Sequence, residues 1–485
     1  MPEYEFDGVV IGGGHNALVL AAYMAKSGLK VVVLERLEEV GGAISTERRN
    51  EPGFIHNMGP IVLSSIDRMP WYVDLEMELY GVRCIHPNVP GSMPLLDGRA
   101  LIFHREIDVT CRSIARLSMK DAETYRTLYE KQGLTAVMIM ATERFSPPLP
   151  PEERESLLMK SSMGRNFLEV EKVSALEKIP ELFESDPLRA TILNFIVRAG
   201  LPPEGPIGGF MASAFPLGHS HTTIIAGGTH LLAKGLEECI SHNGGIVRTS
   251  SEVAKIIVKD GEAKGAETSD GTRFMARKFV VSSVDPPRTF LKFVGDEHLD
   301  GKFLQRVRGY KFRSFGSIVF HAALQELPKY TSSDYEPLVN DGLSINVGYE
   351  NLEMVLAQLK EMRDGLLPEM PCPLVTSPTV CDPSQAQEGK HTTIVWQLAP
   401  YELKDGGIEA WEDIKEQYME ECFQRISDYA PNINAKNIIY KFPLTVLDVE
   451  KRLPNMVNGD VSMGAMIPEQ SKHNRPFPEV SSYRT

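Results

Sequence analysis

Gly12, Gly14, Ala17 and Glu35 are the residues of this chain whose types and spacing speak most directly of chemistry. A glycine at the first of these positions permits a tight turn straight after a strand. A glycine at the second leaves the backbone bare, so that a diphosphate can approach it. Ala17 takes the third place of the pattern, where a small side chain lets a helix lie close to the strand. His15 and Asn16 open that helix, whose free N–H groups and positive end would face the phosphates. Glu35 stands where a carboxylate accepts hydrogen bonds from ribose hydroxyls and repels a 2′-phosphate. Together they imply binding of an adenine dinucleotide that is not phosphorylated at that ribose. His219 and His221, in G-H-S-H at 218–221, form a second set. An imidazole titrates near neutrality, so either residue is a candidate catalytic acid or base. If they sit on a strand they share a face and could also hold a metal or an anion. The plainer alternative is a pair of hydrogen-bonded loop histidines.

The elements around the first set are those its chemistry needs. Val9–Ile11 reads as a strand buried on both faces. A helix follows from about His15 to Ser27, with Leu18, Ala21, Ala22 and Ala25 at helical spacing and Gly28 as its stop. Lys30–Leu34 is a second buried strand that ends at Glu35. Arg36, Gly41, Gly42 and Thr46 then give R-x-x-x-x-G-G-x-x-x-T, with Ala43 inside it. From residue 224 the chain reads I-I-A-G-G-T-H-L-L-A-K-G-L, a helix carrying Leu231, Leu232, Leu236 and Ile240 and closed by Gly244–Gly245. Short strands joined by turns at Asp260–Gly261 and Asp270–Gly271 follow, the last being K-F-V-V-S-S. Ser314–Ala323 and Thr392–Leu398 also read as strands, and Asp121–Lys131 as a helix.

Bulk properties exclude several classes. At 485 residues, 42% of them apolar, the chain exceeds one simple core, and two domains are expected. A net charge of −14 argues against a nucleic-acid partner and against strong electrostatic docking on an anionic membrane. Six scattered cysteines without C-x-x-C indicate neither a zinc site nor a disulfide framework, and no metal is expected. The first strand begins almost at the N-terminus, no apolar run is long enough to span a bilayer, and a reducing cytoplasm is the expected location. Peripheral membrane contact and assembly into a homo-oligomer stay open.

The chain resembles the phytoene-dehydrogenase-related flavoproteins, a branch of the carotenoid desaturase and amine oxidase superfamily. The resemblance rests on V-V-I-G-G-G-H-N-A-L-V-L-A-A-Y-M-A-K-S-G-L-K-V-V-V-L-E-R, on A-G-G-T-H-L-L-A-K-G-L, on K-F-V-V-S-S-V-D-P at 278–286, and on G-D-V-S-M-G-A-M-I-P-E-Q with N-R-P and S-S-Y-R-T near the end. It implies an α/β fold: a Rossmann-like, glutathione-reductase-type FAD-binding domain from residues 1–60, 223–290 and 451–485, with an inserted α+β substrate-binding domain from 61–222 and 291–450. It implies non-covalent FAD as cofactor. Arg36, Gly41, Gly42 and Ala43 would follow its diphosphate and ribityl chain, Met58, Gly59 and Pro60 would pass near the flavin ring, and the Val253 backbone would meet the adenine. In the family a strand and a glycine-rich segment follow the Tyr483–Thr485 region, so a tail of that kind is expected beyond Thr485. The implied reaction is hydride transfer between the flavin and a small hydrophobic, unsaturated or cyclic molecule, with the electron acceptor unspecified. A flavin carries the difficult step, so no triad is required.

Alternatives stand beside this reading: a redox-neutral double-bond isomerase, an amine oxidase, or a non-catalytic flavin-binding scaffold. His56 is read as structural rather than as a cofactor or substrate contact. His230 is read as a helix cap, Glu38–Glu39 as a solvated face, and Met138, Met140 and Met163 as core filler rather than a pocket lining.

Overall fold

A six-stranded sheet holds the glycine turn. Its spatial order is Val253–Lys259, Glu262–Thr268, Arg273–Ser282, Glu3–Ile11, Val31–Leu34 and Ile246–Arg248. The last four run parallel, and the first three form an antiparallel meander at one side. Val9, Val10 and Val31–Val33 have essentially no solvent exposure, which is why this segment reads as an unbroken apolar run and not as an alternation. Helix His15–Lys26 lays Ala17, Leu18, Ala21 and Ala22 on one face of the sheet, beside Leu232, Leu236, Cys239 and Ile240 of helix His230–His242. The other face packs Phe6, Val9 and Val32 against Phe274 and Phe293. The computed structural model describes residues 2–48, 52–132, 138–139, 142–219 and 221–477. Met140, Ser220 and the Ser481–Thr485 motif lie outside them.

The second sheet has seven strands, in the order Ile438–Leu444, Phe315–Leu324, His391–Pro400, Leu374–Thr376, Ser344–Asn346, Gly91–Pro94 and Ala100–Phe103. Phe315–Leu324 and His391–Pro400 pair along their whole length without a bulge. Alternation divides their side chains between two cores. Ile318, Phe320, Val395 and Ala399 face helix Trp411–Tyr429. Leu398, with Met93, Leu101 and Phe103 of neighbouring strands, faces helices Ala175–Leu182, Asp186–Arg198 and Gly208–His219. Val319 and Ile394, flanked by Trp396 and Leu444, face Ile61 and Ile224 in segments that lead back to the first sheet. That last contact is the seam between the two sheets. Each fully buried aliphatic side chain contributes about 1.5–3 kcal/mol, so the seam resists separation.

Three local expectations are corrected. The G-H-S-H segment is not a strand: His219 ends helix Gly208–His219, and His221 lies in the turn beyond, so the two do not share a strand face. His230 does not cap its helix. The preceding Thr229 makes no side-chain cap, and the Thr229 N–H and hydroxyl both donate to Asn57 Oδ1, at 2.9 and 3.1 Å. Met138 is more than half exposed rather than core, while Met163 is half-buried. Among the described residues no helix is long and apolar enough to cross a membrane.

Candidate functional site

The glycine turn opens onto a groove with about 980 Å³ of space between its walls, mouth included. Gly12, Gly14, His15, Asn16, Glu35, Arg36, Gly42, Ala43 and Val253 all line it. Ala17 lies just beneath, buried between helix and strand, and Gly41 supports the floor by donating its N–H to Gly13 O at 2.8 Å. Gly12 has φ +94°, which demands glycine, and a Cβ there would stand 2.6 Å from Ser283 Oγ, so that hydroxyl would have to turn away. Gly14 is different: its backbone is extended (φ −69°, ψ 161°), and a Cβ would meet nothing within 4 Å. Beside it, a Cβ on Gly42 would reach 3.5 Å from Gly14 Cα. Two bare backbones thus lie side by side and floor a slot in the groove.

Helix His15–Lys26 begins at Gly14 with no side-chain cap, so its first N–H groups remain available to the slot. Arg36, Arg288 and Lys292 bring positive charge to the walls. Glu35 closes one end: Oε2 accepts from the Gly13 N–H at 2.6 Å and Oε1 from the Leu37 N–H at 2.8 Å. Each oxygen keeps a further lone pair for a hydroxyl. His15 remains accessible from the groove, yet its surroundings desolvate it and depress its pKa, so it is neutral at pH 7. At the other end a short hairpin, Thr46–Glu47 with His56–Asn57, brings residues 58–60 against Ala43. Met58 N–H donates to Ser45 O at 2.9 Å, a Cβ on Gly59 would fall 2.2 Å from Ala43 O, and Pro60 is exposed. Met58, Gly59 and Pro60 therefore continue the groove's line without lining it.

The far wall comes from residues that the sequence did not single out. Arg288 Nη2 donates to Pro454 O at 2.7 Å, and Arg36 donates to Arg452 O, so two cations hold the loop Leu453–Met456 over the slot. Arg452 donates in turn to Ser45 Oγ at 3.0 Å and pairs with Glu47, while burial pulls its pKa down. Beneath Arg288, burial pushes the Asp285 carboxyl up. The signal for Ser283 was present in K-F-V-V-S-S-V-D-P, where the strand ends beside the glycine turn, and Arg288 lies two residues beyond that motif. Met463 lies in G-D-V-S-M-G-A-M-I-P-E-Q, whereas nothing local marks Leu453–Met456.

His221 and His56 are not among the residues that line this groove. His221 Nδ1 lies 3.2 Å from Arg68 Nη1. Because a guanidinium only donates, Nδ1 accepts and the ring proton sits on Nε2. Burial, then Arg68 and Arg105, lower the His221 pKa, which keeps it neutral. His219 is the final residue of its helix, and its side chain lies outside what is described. His56 is buried among rings: Nε2 is 2.9 Å from Tyr440 OH, with His321 and Phe442 edge-on at 5.3 Å. Among the described residues no cluster of three His, Cys, Asp or Glu could hold a metal.

Comparison with known proteins adds four findings. Residues 10–75 match the NAD(P)-binding Rossmann-like domain. The chain is 29% identical to a limonene dehydrogenase polypeptide of Castellaniella defragrans, over 99% of this chain and 88% of that one. It is 23% identical to the chloroplastic prolycopene isomerase 1 of an Oncidium hybrid, over 87% and 68%. An oxidoreductase from Methanosarcina mazei superposes with a TM-score of 0.53 at 21% identity, covering 90% and 87%, which shows a shared fold.

Proposed function

We propose, from the premise that this chain belongs to the phytoene-dehydrogenase-related branch of the carotenoid desaturase and amine oxidase flavoproteins, that it is an FAD-dependent oxidoreductase acting on a hydrophobic, unsaturated or cyclic substrate. The observation that carries the reading is the slot floored by Gly14 and Gly42, open where a side chain on Gly14 would block a diphosphate and continuous with Glu35 at one end and Ala43 at the other. The residues present fit the group. Glu35 would hold the ribose, the slot and the uncapped helix the diphosphate, and Arg36, Arg288 and Lys292 would offset its charge. The Val253 backbone would meet the adenine, and Ala43 with Met58–Pro60 would border the ring. We assign residues 1–60, 223–290 and 451–485 to this FAD-binding part, and 61–222 and 291–450 to the substrate-binding part.

Bound there, the flavin would accept or return a hydride, chemistry that side chains do not supply. The protein's own contribution is position and exclusion of water. Ile61, Ile224, Val319 and Ile394 close the seam between the sheets as a dry wall, which suits an apolar substrate and protects a reduced carrier from solvent. His221 offers a fixed Nε2–H, because Arg68 occupies its only lone pair; its place in the proposal is to donate a hydrogen bond, and proton transfer there requires Arg68 to leave Nδ1. His219 is kept as the second candidate for proton handling. Replacing each with Gln tests this, and unchanged turnover at full flavin content would remove both.

The test of the reading is anaerobic mixing of the flavin-loaded chain with a panel of cyclic and acyclic unsaturated compounds, hydrocarbons and acids alike. Bleaching of the flavin with loss of two hydrogens from one compound is expected. A flavin that no member reduces would refute it. The likeness to a prolycopene isomerase supports a second reading, a redox-neutral isomerase. In that case product and substrate have equal mass, and isotope tracing separates the two.

A further inference from the structure

Arg198 is the last residue of helix Asp186–Arg198, at the point where the helical cover of the seven-stranded sheet gives way to the seam. Its Nη2 donates to Trp396 O at 2.8 Å, and no carboxylate pairs with it among the described residues. Its Nε is enclosed and has no hydrogen-bond partner there. Other enclosed arginines are compensated: Arg313 by Asp460, Arg452 by Glu47, Arg154 by Glu143 and Glu171. A buried guanidinium left without a counter-charge is costly. Burial accordingly lowers the Arg198 pKa, and the nearest titratable groups, Tyr349 and Cys372, are themselves held neutral by burial.

One helical turn earlier, on the same side, Asn194 donates Nδ2 to Asn346 Oδ1 at 2.9 Å, while its own Oδ1 is enclosed without a partner. Two orphaned polar atoms therefore lie one turn apart on a single helix face. Beside them is Trp396, paired on one side with Val319 and on the other with Leu374. A residue so placed should be covered, yet Trp396 is only half-buried, as are Phe315 and Ser317 on the same sheet face. These partly exposed aromatic side chains thus lie on one sheet face, with one uncompensated cation bonded to the Trp396 backbone.

We propose that this face takes an apolar molecule bearing one carboxylate, paired with Arg198, so that the substrate is an unsaturated hydrophobic acid and not a bare hydrocarbon. The inference rests on the proposed function for the role of this face, but not for its affinity. Binding is read from Trp396 fluorescence, whatever the flavin content, whereas failure of the FAD reading shows as colourless protein.

The probe is decanoate against decanol, equal in chain length, titrated into the full chain. Decanoate should bind wild type at least about 10-fold tighter, and equal binding overturns the proposal. Arg198→Met should weaken decanoate by at least about 30-fold, as when one member of a buried charge pair is truncated, and leave decanol unchanged. A preference that survives Arg198→Met overturns it. The Trp396→Phe variant needs no change at Arg198 and tests location: its quenching signal should vanish, and a signal that persists overturns the assignment.

Discussion

Replacing Gly14 with valine should abolish cofactor binding while sparing the fold, and replacing Gly12 with alanine should do the reverse of sparing it. At Gly14 the backbone is already in a region open to any residue, and the new side chain meets nothing within 4 Å. Losing a glycine N-cap costs a few tenths to about 1 kcal/mol, while restricting the unfolded chain returns about 0.4–1 kcal/mol. The net change in apo stability should stay within about 0.5 kcal/mol. The isopropyl group, however, projects into the open slot beside Gly42, where the diphosphate would lie. A loss of at least about 100-fold in FAD affinity is expected, which corresponds to about 2.7 kcal/mol. At Gly12 the φ of +94° costs an L-residue about 1–2 kcal/mol. The Cβ at 2.6 Å also drives away Ser283 Oγ, which now donates to Ile11 O at 3.2 Å, a further loss of about 1 kcal/mol. The assay pairs denaturant unfolding of the apo chains with titration of FAD. The reasoning is refuted if Gly14→Val retains wild-type FAD affinity, or if it destabilises the apo chain as much as Gly12→Ala does.

Further outcomes follow from the same geometry. Asp460→Asn should cost about 3–5 kcal/mol in unfolding free energy, because it strands the buried Arg313 guanidinium that Asp460 holds at 2.9 Å. Gly59→Ala drives a Cβ into Ala43 O and should displace residues 58–60, reducing turnover more than FAD affinity, measured as a fall in kcat at saturating FAD. His221 has a folded pKa below its unfolded value, so the unfolded chain binds more protons between the two. Its contribution is intact above about pH 6.5 and is lost as the pH falls through the folded value. Wild type should therefore lose more thermal stability on acidification than His221→Gln does, and parallel curves would contradict the assignment.

What could be read from the sequence was what neighbouring residues decide. The run Val9–Ile11, the glycine turn and the alanine face of the next helix are local patterns with local causes, and they led directly to the Rossmann-type α/β fold. Strands around Ser314 and Thr392 were visible from their apolar runs, although their pairing was not. Helix Gly208–His219 was hidden because Gly208, Gly209, Pro216 and Gly218 disguise its period, and tertiary burial of Phe210, Ala212 and Phe215 outweighs their poor propensity. His230 was misread as a cap because the true partner of that helix entrance, Asn57, lies far away in sequence. For the same reason the glycine side of the groove was legible and the Leu453–Met456 wall was not. The latter depends on Arg36 and Arg288 reaching backbone carbonyls distant in the chain.

The slot floored by Gly14 and Gly42 is the proposed seat of a flavin dinucleotide. Equilibrium titration of the purified full-length chain with FAD tests it most directly. Saturable binding of one FAD per chain, turning the protein yellow and competed by ADP, is the predicted result. Protein that stays colourless in excess FAD would contradict the account.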